Sequence, residues 1–158
     1  MRHRIRAAAL MTQGDSILLV CHKTPETGSL WWIPPGGKLE SFDQTIFDCA
    51  RREVFEETGL SATCSRIAYI RECRDLKLGV QHLELFLVAD SYTGEITLAH
   101  QPPTEPDADM IQESRWVTRA ELPSLLVYPE ILQQDFWDDL ATGFPETKYL
   151  GSHDFNSI

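Results

Sequence analysis

The sequence predicts an α/β fold, and three observations support this prediction. Short aliphatic runs bounded by turn residues recur along the chain, as expected of β-strands. Residues 44–58 contain neither glycine nor proline and are followed by Gly59, which suits the left-handed C-terminal cap of a helix. Thr118 and Glu121 have the spacing of a capping box, which indicates a second helix late in the chain.

The length and composition predict one globular domain over residues 1–158. A chain of 158 residues with 42% hydrophobic and 24% charged residues is long enough to bury a core and too short for two comfortable domains. No internal repeat or linker divides the chain. We therefore expect one active site.

The charge and the cysteines restrict the possible partners. The formal net charge is -10, so long-range repulsion disfavours nucleic acid and anionic membranes, whereas a small phosphate substrate is compatible with a metal-bearing acidic site. No segment approaches the length of a membrane span, and the apolar run 7–11 is too short for a signal peptide. The four cysteines lack the spacing of a metal site, which favours a reduced, cytoplasmic setting.

Turn residues divide the first half of the chain into predicted elements. Gly14-Asp15 provides a hairpin turn between two aliphatic runs. Pro34-Pro35-Gly36-Gly37 can continue neither a helix nor a regular ladder, so a loop is expected there. In chain order we expect a hairpin of strands 3–11 and 16–22, a turn region at 24–30, this loop at 34–37 and the helix at 44–58.

The second half is expected to contain further strands and two helices. Gly79 marks a turn between two strands, and the long acidic segment 91–109 is expected to be a loop that reaches the active site. No element is predicted after Gly143. The strands are expected at 67–71, 82–89 and 111–117, and the helices directly after the capping box and over 129–140.

Three glutamates carry the strongest chemical signal. Glu53, Glu56 and Glu57 occupy positions i, i+3 and i+4 of the predicted helix and therefore share one face within roughly 100°. Like charges at these spacings, near the negative end of the helix dipole, need a compensating cation. Mg²⁺ or Mn²⁺ would bind such carboxylates, and the alternative is a solvated acidic helix face.

Two neighbouring features favour the metal site over the solvated face. Ile46, Ala50 and Val54 form an apolar stripe that overlaps the glutamate face, so the cluster is expected at the margin of the core. Upstream, Gly36-Gly37 permits close backbone approach, as a phosphate-binding pocket requires.

The run Arg52-Glu53-Val54-Phe55-Glu56-Glu57-Thr58-Gly59-Leu60 resembles the Nudix hydrolase family. The family signature is a glycine, five residues, a glutamate, seven residues, and then Arg-Glu-aliphatic-x-Glu-Glu-x-Gly-aliphatic. The close resemblance covers residues 36–60. It implies an α/β/α sandwich with a mixed β-sheet, and an enzyme that hydrolyses a phosphoanhydride bond with Mg²⁺ or Mn²⁺.

The first half of the signature departs from the family pattern by one inserted residue. Counting forward from Gly37 places Asp43 at the first glutamate, whereas counting backward from Arg52 places Gln44 there. Both alternatives stay open on the sequence. Glu40 provides a further carboxylate nearby.

The resemblance also implies roles for individual residues. Arg52 is expected to act with the glutamates by orienting one of them through a bidentate pair. The general base is expected from the helix glutamates or from a later loop. The predicted metal ligands are Glu53, Glu56, Glu57 and Gly37, and the loop candidates for the base are Glu105, Asp107 and Asp109.

Substrate binding is expected of Gly36, Gly37, Trp32 and Arg71. Of two adjacent tryptophans in an extended segment, only one enters the core easily, so the other is available to the substrate. The implied substrate is a nucleoside diphosphate linked to another group, such as a nucleotide sugar or ADP-ribose. The alternatives are a MutT-like nucleoside triphosphate pyrophosphohydrolase and a non-catalytic nucleotide-binding module. A homodimer is compatible with the sequence.

Overall fold

The fold was analysed in a computed structural model, which describes residues 1–103 and 110–155. The described chain contains two α-helices, α1 (Ile46–Thr58) and α2 (Phe136–Ala141), and two short 3₁₀ helices at Leu122–Ser124 and Glu130–Gln133. The strands are β1 (Arg2–Leu10), β2 (Thr12–Gln13), β3 (Ser16–Lys23), β4 (Leu30–Ile33), β5 (Gly36–Lys38), β6 (Ser61–Asp75), β7 (Val80–Thr93), β8 (Ile111–Thr118) and β9 (Lys148–Phe155).

The strands form two sheets. The larger sheet has the order β5-β1-β7-β6-β9 and is mixed, because β1 pairs with β7 and β6 pairs with β9 in parallel while the other pairs are antiparallel. The smaller sheet joins β2, β4 and β8 to β3. The predicted α/β fold with a mixed sheet is confirmed.

The larger sheet separates two parts of the core. Side chains alternate along its strands, so Ala7 and Leu87 face α1, where they pack with Cys49 and Ala50. On the opposite face, Phe86 packs among residues of the smaller sheet, the 3₁₀ helices and α2. The helix that carries the glutamates therefore rests on the sheet with its apolar side buried.

Local signals set both ends of α1. Thr45 caps the N-terminus: its hydroxyl accepts from the Asp48 amide, and the Asp48 carboxylate accepts from the Thr45 amide. Gly59 ends the helix with φ 78°, and its amide donates to the Phe55 carbonyl. The predicted helix and its glycine cap are confirmed. None of the helices in the described ranges is long and apolar enough to cross a membrane.

The predicted opening hairpin is wrong in its pairing. β1 pairs with β5 and β7 in the larger sheet and not with β3. Only Thr12–Gln13 pairs with the start of β3, across a turn in which Gly14 has φ 59°. The chain therefore crosses from one sheet to the other after Leu10.

The predicted loop at 34–37 also needs correction, because Gly36–Lys38 forms the edge strand β5. A Cβ atom at Gly36 would lie 2.5 Å from the Ala8 Cα atom and from the Ala7 carbonyl oxygen. Only glycine permits this approach to β1. The Ala9 amide donates to the Pro35 carbonyl at 2.9 Å, which fixes the start of the strand.

The C-terminal region differs from the prediction in two ways. The helix expected over 129–140 is divided into the second 3₁₀ helix and α2, because Gln134 has φ −126° and ψ −113°, outside the helical region. Residues 148–155, where no element was predicted, form β9 along β6. The strands predicted at 67–71 and 82–89 are parts of the longer β6 and β7, and Gly79 lies in the turn between them with φ 65°.

Candidate active site

The three glutamates of α1 line one small cavity of about 150 Å³. Glu53 and Glu57 are only 9% and 5% exposed, which excludes a solvated face for these two residues. The other residues of the cavity wall come mainly from β1, β3, β5 and the segment after β5, and they include Arg4, Arg6, His22, Gly36, Gly37, Lys38 and Glu40. The structure thus brings the glycine pair and the glutamates together.

The two glycines make room for the carboxylates. The Gly36 amide donates to Glu57 Oε1 at 3.1 Å, which holds this side chain against β5. A Cβ atom at Gly37 would overlap the Glu53 carboxyl group. The Gly37 carbonyl accepts a hydrogen bond from Cys49 Sγ at 3.5 Å. Glycine is therefore required at position 36 by the backbone of β1, whereas a side chain at position 37 would displace the Glu53 carboxyl group from its place in the cavity.

Arg52 organises the carboxylates around it. Its Nε and Nη2 atoms donate to the two oxygens of Asp43 at 3.0 and 2.7 Å, and Nη1 donates to Glu53 at 2.8 Å and to Glu56 at 3.4 Å. Nη2 also donates to the Lys38 carbonyl. The bidentate partner of Arg52 is thus Asp43, while Gln44 is exposed. With all these acceptors, Arg52 orients carboxylates and is a positioning residue.

Burial and ion pairing move the pKa values of this cluster in different directions. The hydrogen bonds from Arg52 lower the pKa of Asp43. Burial raises the pKa of Glu53 to about 7, although Arg52 opposes the shift. Burial therefore disfavours the charged form of Glu53, and a cation in the cavity would favour its ionised form.

The donor set fits a hard divalent cation. Carboxylate and carbonyl oxygens are the ligands that Mg²⁺ and Mn²⁺ take, and Glu53, Glu56 and Glu57 present such atoms to one cavity. Among residues 1–103 and 110–155, no three histidine, cysteine or acidic side chains already surround a single point at ligand distance. Arg52 pairs with Glu53 at 2.8 Å and with Glu56 at 3.4 Å, and both carboxylates line the cavity.

A larger cavity of about 810 Å³ shares Arg4, Arg6 and His22 with the small one. Its floor is the larger sheet. Arg71, predicted to bind substrate, lies in its wall and is 8% exposed. Arg71 Nε donates to Glu84 at 2.7 Å, and Arg6 Nε lies 3.8 Å from the same carboxylate. Glu84 thus holds two arginines side by side at the cavity.

The tryptophan that lines this cavity is Trp31, beside the aromatic rings of Tyr128 and Phe155, and this corrects the expectation for Trp32. Trp32 is 5% exposed and packs in the core, with the Arg115 guanidinium 4.8 Å above its ring. Trp31 lines the large cavity and stacks on His22 with 4.5 Å between ring centroids. The side chains of adjacent strand residues point to opposite faces, and β4 turns Trp32 inward.

Arg4 and Arg6 were not predicted as site residues. Their signal in the sequence is the alternation of arginine along β1, which places both on one face of the strand. The residues that β9 adds to the cavity gave no signal at all. The loop candidates for the general base, Glu105, Asp107 and Asp109, lie outside the described residues.

A site of this kind is found in hydrolases that act on phosphoanhydrides, where carboxylates hold metal ions against a diphosphate. The comparison with known proteins agrees: the NUDIX domain family matches residues 1–136, and the chain belongs to that family. It is a Nudix hydrolase, as the sequence predicted. Hydrolases of this family generally use divalent metal ions.

Two relatives illustrate the range of the family. An RNA pyrophosphohydrolase of Bartonella clarridgeiae is 28% identical over 131 residues, covering 72% of this chain and 71% of its own. Phosphatase NudJ of Escherichia coli is 32% identical over 114 residues, covering 72% of this chain and 68% of its own.

Solved structures share the fold. A NUDIX hydrolase from Nitrosomonas europaea superposes with a TM-score of 0.70 at 22% identity, over 89% of this chain and 90% of its own. A MutT NUDIX hydrolase from Burkholderia pseudomallei gives a TM-score of 0.66 at 23% identity, over 85% and 98% of the two chains.

Proposed function

We propose that the protein hydrolyses the phosphoanhydride bond of a nucleoside diphosphate linked to a second group, such as a nucleotide sugar or ADP-ribose. One observation carries this proposal. The acidic cavity on α1 and the large cavity on the sheet share the arginines Arg4 and Arg6 in their walls. A diphosphate held by these arginines would lie next to the glutamates, with the rest of the substrate in the large cavity.

The size of the large cavity supports a substrate with two bulky groups. About 810 Å³ lies within the roughly 300–1,000 Å³ of small-molecule sites. Trp31 offers an aromatic edge for a base. The far end is lined by acceptor groups, including Asp75, Ser152 and Asp154, which suit hydroxyl groups and repel a terminal phosphate.

Glu53, Glu56 and Glu57, with the Gly37 carbonyl, would hold Mg²⁺ or Mn²⁺. A bound ion would neutralise charge on the diphosphate and make a bound water more acidic. Arg52 keeps the carboxylates in place, and Arg6 and Arg71 bind phosphate oxygens. The proton of the attacking water is taken by a helix glutamate or by Glu105, Asp107 or Asp109.

A panel of substrates tests this function. The protein is incubated with ADP-ribose, UDP-glucose, ATP and a 5′-triphosphorylated RNA, with Mg²⁺, with Mn²⁺ and with chelator. We expect metal-dependent release of two phosphorylated products from ADP-ribose or the nucleotide sugar. Pyrophosphate from ATP or RNA as the preferred reaction would instead establish the triphosphate alternative. No turnover together with nucleotide binding would establish the non-catalytic module.

The same preparation tests two remaining expectations. We propose a cytoplasmic protein that acts on small nucleotides without a nucleic-acid partner, which the RNA arm of the panel examines. A homodimer is also proposed, and light scattering during size-exclusion chromatography measures its mass. A monomer across the accessible concentration range would contradict the dimer and leave the enzymatic proposal unaffected.

A further inference from the structure

The last strand contributes to the large cavity, although it lies beyond the part of the chain that matches the family. The match ends at residue 136, whereas β9 begins at Lys148. β9 pairs in parallel with the distal part of β6, with His153 opposite Cys73 and Asp154 opposite Arg74. The pairing extends the floor of the cavity by one strand.

β9 and the end of β6 together form the far end of the cavity. Ser152, His153, Asp154 and Phe155 of β9 line it, as do Arg74 and Asp75 of β6. Arg74 Nε donates to Asp154 Oδ1 at 2.7 Å, which joins the two strands and neutralises the arginine. Asp75 accepts from the Leu78 amide at 2.8 Å, so its carboxylate is held by the β6–β7 turn.

The two ends of the cavity differ in charge. The near end, next to the glutamates, carries three arginines, Arg4, Arg6 and Arg71, and two carboxylates: Glu84 lies between Arg6 and Arg71, and Glu130 is 3.6 Å from Arg71. At the far end the one arginine is paired with Asp154, and Asp75 adds a second carboxylate. An anionic group is attracted to the near end and repelled from the far end. Carboxylates and hydroxyls accept hydrogen bonds from sugar hydroxyls, so the far end matches an uncharged polyol.

We propose that β9 and the end of β6 form a subsite for the sugar ring that follows the diphosphate, a ribose or hexose, and that this subsite gives the enzyme its preference for such substrates over nucleoside triphosphates. The proposal rests on the function proposed above. The key residue is Asp154, which accepts from the sugar and at the same time cancels the charge of Arg74. A site built to bind hydroxyl groups discriminates strongly against ligands that lack them.

Substitution of Asp154 gives opposite effects on two substrates. In Asp154→Asn the sugar loses a charged acceptor, and Arg74 becomes an uncompensated cation at the far end. We expect KM for ADP-ribose to rise about tenfold, the size of a lost hydrogen bond to a charged group, and KM for ATP to fall. The kcat values should change little because the glutamates of α1 are untouched.

Tyr149→Phe provides a matched control on the same strand. Tyr149 is 63% exposed and lies outside the large cavity, and its hydroxyl donates to Glu72 at 2.7 Å. This variant loses one contact between β9 and β6, as Asp154→Asn does, without changing the far end. We expect both KM values to match the wild type, and thermal unfolding of both variants establishes that β9 remains folded.

Binding of the separate halves of the substrate distinguishes failure of this proposal from failure of the proposed function. The dissociation constants of ribose 5-phosphate and AMP are measured by calorimetry for the wild type and Asp154→Asn. We expect weaker binding of ribose 5-phosphate alone. A loss confined to AMP, or an unchanged ratio of the KM values in an active enzyme, would overturn the sugar subsite. A wild type inactive on every phosphoanhydride would overturn the proposed function, and the subsite with it.

Discussion

The two walls of the candidate active site carry opposite charge. On the α1 wall a single guanidinium, that of Arg52, is surrounded by the carboxylates of Asp43, Glu53 and Glu56. On the sheet wall the carboxylate of Glu84 lies between the guanidinium groups of Arg6 and Arg71, and Glu130 also pairs with Arg71, at 3.6 Å. On each wall a partly buried charge, Arg52 or Glu84, is thus held by neighbours of the opposite sign.

On each wall, one side chain positions neighbours of the opposite charge: Arg52 positions the carboxylates around it, and Glu84 positions the arginines. Arg52 donates hydrogen bonds to all three carboxylates around it, which leaves it little capacity for a substrate phosphate. Glu84 fixes Arg71 in the same way and cannot itself attract an anion. Arg52 is engaged by three carboxylates, whereas Arg71 has two carboxylate neighbours, Glu84 and Glu130, and lines the large cavity.

The charges also assign different kinetic roles to the two walls. A diphosphate is attracted by the sheet wall and repelled by the α1 wall, unless a divalent cation lies between the glutamates and the phosphates. We expect changes on the α1 wall to act on kcat and on the metal requirement. Changes on the sheet wall should act mainly on KM.

The largest effect is expected from the α1 wall. In Glu56→Gln and in Glu57→Gln the neutral amide removes one anionic ligand, and metal-dependent kcat should fall by about 10²–10³-fold, as for other groups that stabilise charge in the transition state. Both variants should stay folded because glutamine keeps the size of the side chain. Steady-state kinetics across a Mg²⁺ titration measures the effect.

Glu146→Gln, an exposed residue outside both cavities, is the control for this pair of substitutions. Its kinetics should equal those of the wild type. Full activity in both Glu56→Gln and Glu57→Gln would show that these carboxylates do not hold the metal. The proposal that the α1 wall determines kcat and the sheet wall determines KM would then be wrong.

A smaller effect is expected from Asp43→Asn, which breaks the bidentate pair with Arg52. The Asp43 side chain is 3% exposed, so the free energy of unfolding should fall by about 2–3 kcal/mol, somewhat less than for a fully buried pair. The loosened Arg52 would leave Glu53 and Glu56 less ordered. We expect kcat/KM to fall about tenfold. Urea denaturation and kinetics measure the two quantities.

The pH dependence of the unfolding free energy tests whether the Asp43–Arg52 ion pair causes the loss of stability in Asp43→Asn. Arg52 lowers the pKa of Asp43 in the folded protein, so the ion pair stabilises the fold at pH values above the unfolded pKa of about 4. This stabilisation is lost as the pH falls through the lower, folded-state pKa. The difference in unfolding free energy between wild type and Asp43→Asn should be complete at pH 7 and shrink below about pH 4. A constant difference would contradict the ion pair as its source.

The α1 wall could be predicted from the sequence because its signals are local. The spacing of Glu53, Glu56 and Glu57 places them on one helix face, and Gly59 marks the end of the helix. Counting residues along the family signature could not decide whether Asp43 or Gln44 occupies the position of its first glutamate, because one residue is inserted before the helix. Its placement depends on the course of the chain between Gly37 and Thr45, which brings Asp43 and not Gln44 to Arg52.

The sheet wall depends on contacts between distant parts of the chain. Arg4 and Arg71 become neighbours of one cavity only because β1 and β6 both flank β7. β9 contains no fully buried residue and is held as a strand by its pairing with β6. Neither relation leaves a pattern within a short window of sequence, so the far end of the cavity had to be found in the structure.

The smallest effect on kcat is expected from the sheet wall. Arg71→Gln removes a guanidinium held by Glu84 and should raise KM for ADP-ribose about tenfold, while kcat stays within about twofold. Arg71→Lys keeps the charge but loses the planar fork, so its KM should lie between those of wild type and Arg71→Gln. Calorimetric binding of AMP and of ribose 5-phosphate shows which phosphate Arg71 contacts. If Arg71→Gln instead lowers kcat as strongly as the glutamate variants, both walls contribute to the chemical step. The assignment of catalysis to the α1 wall and of substrate binding to the sheet wall would then be wrong.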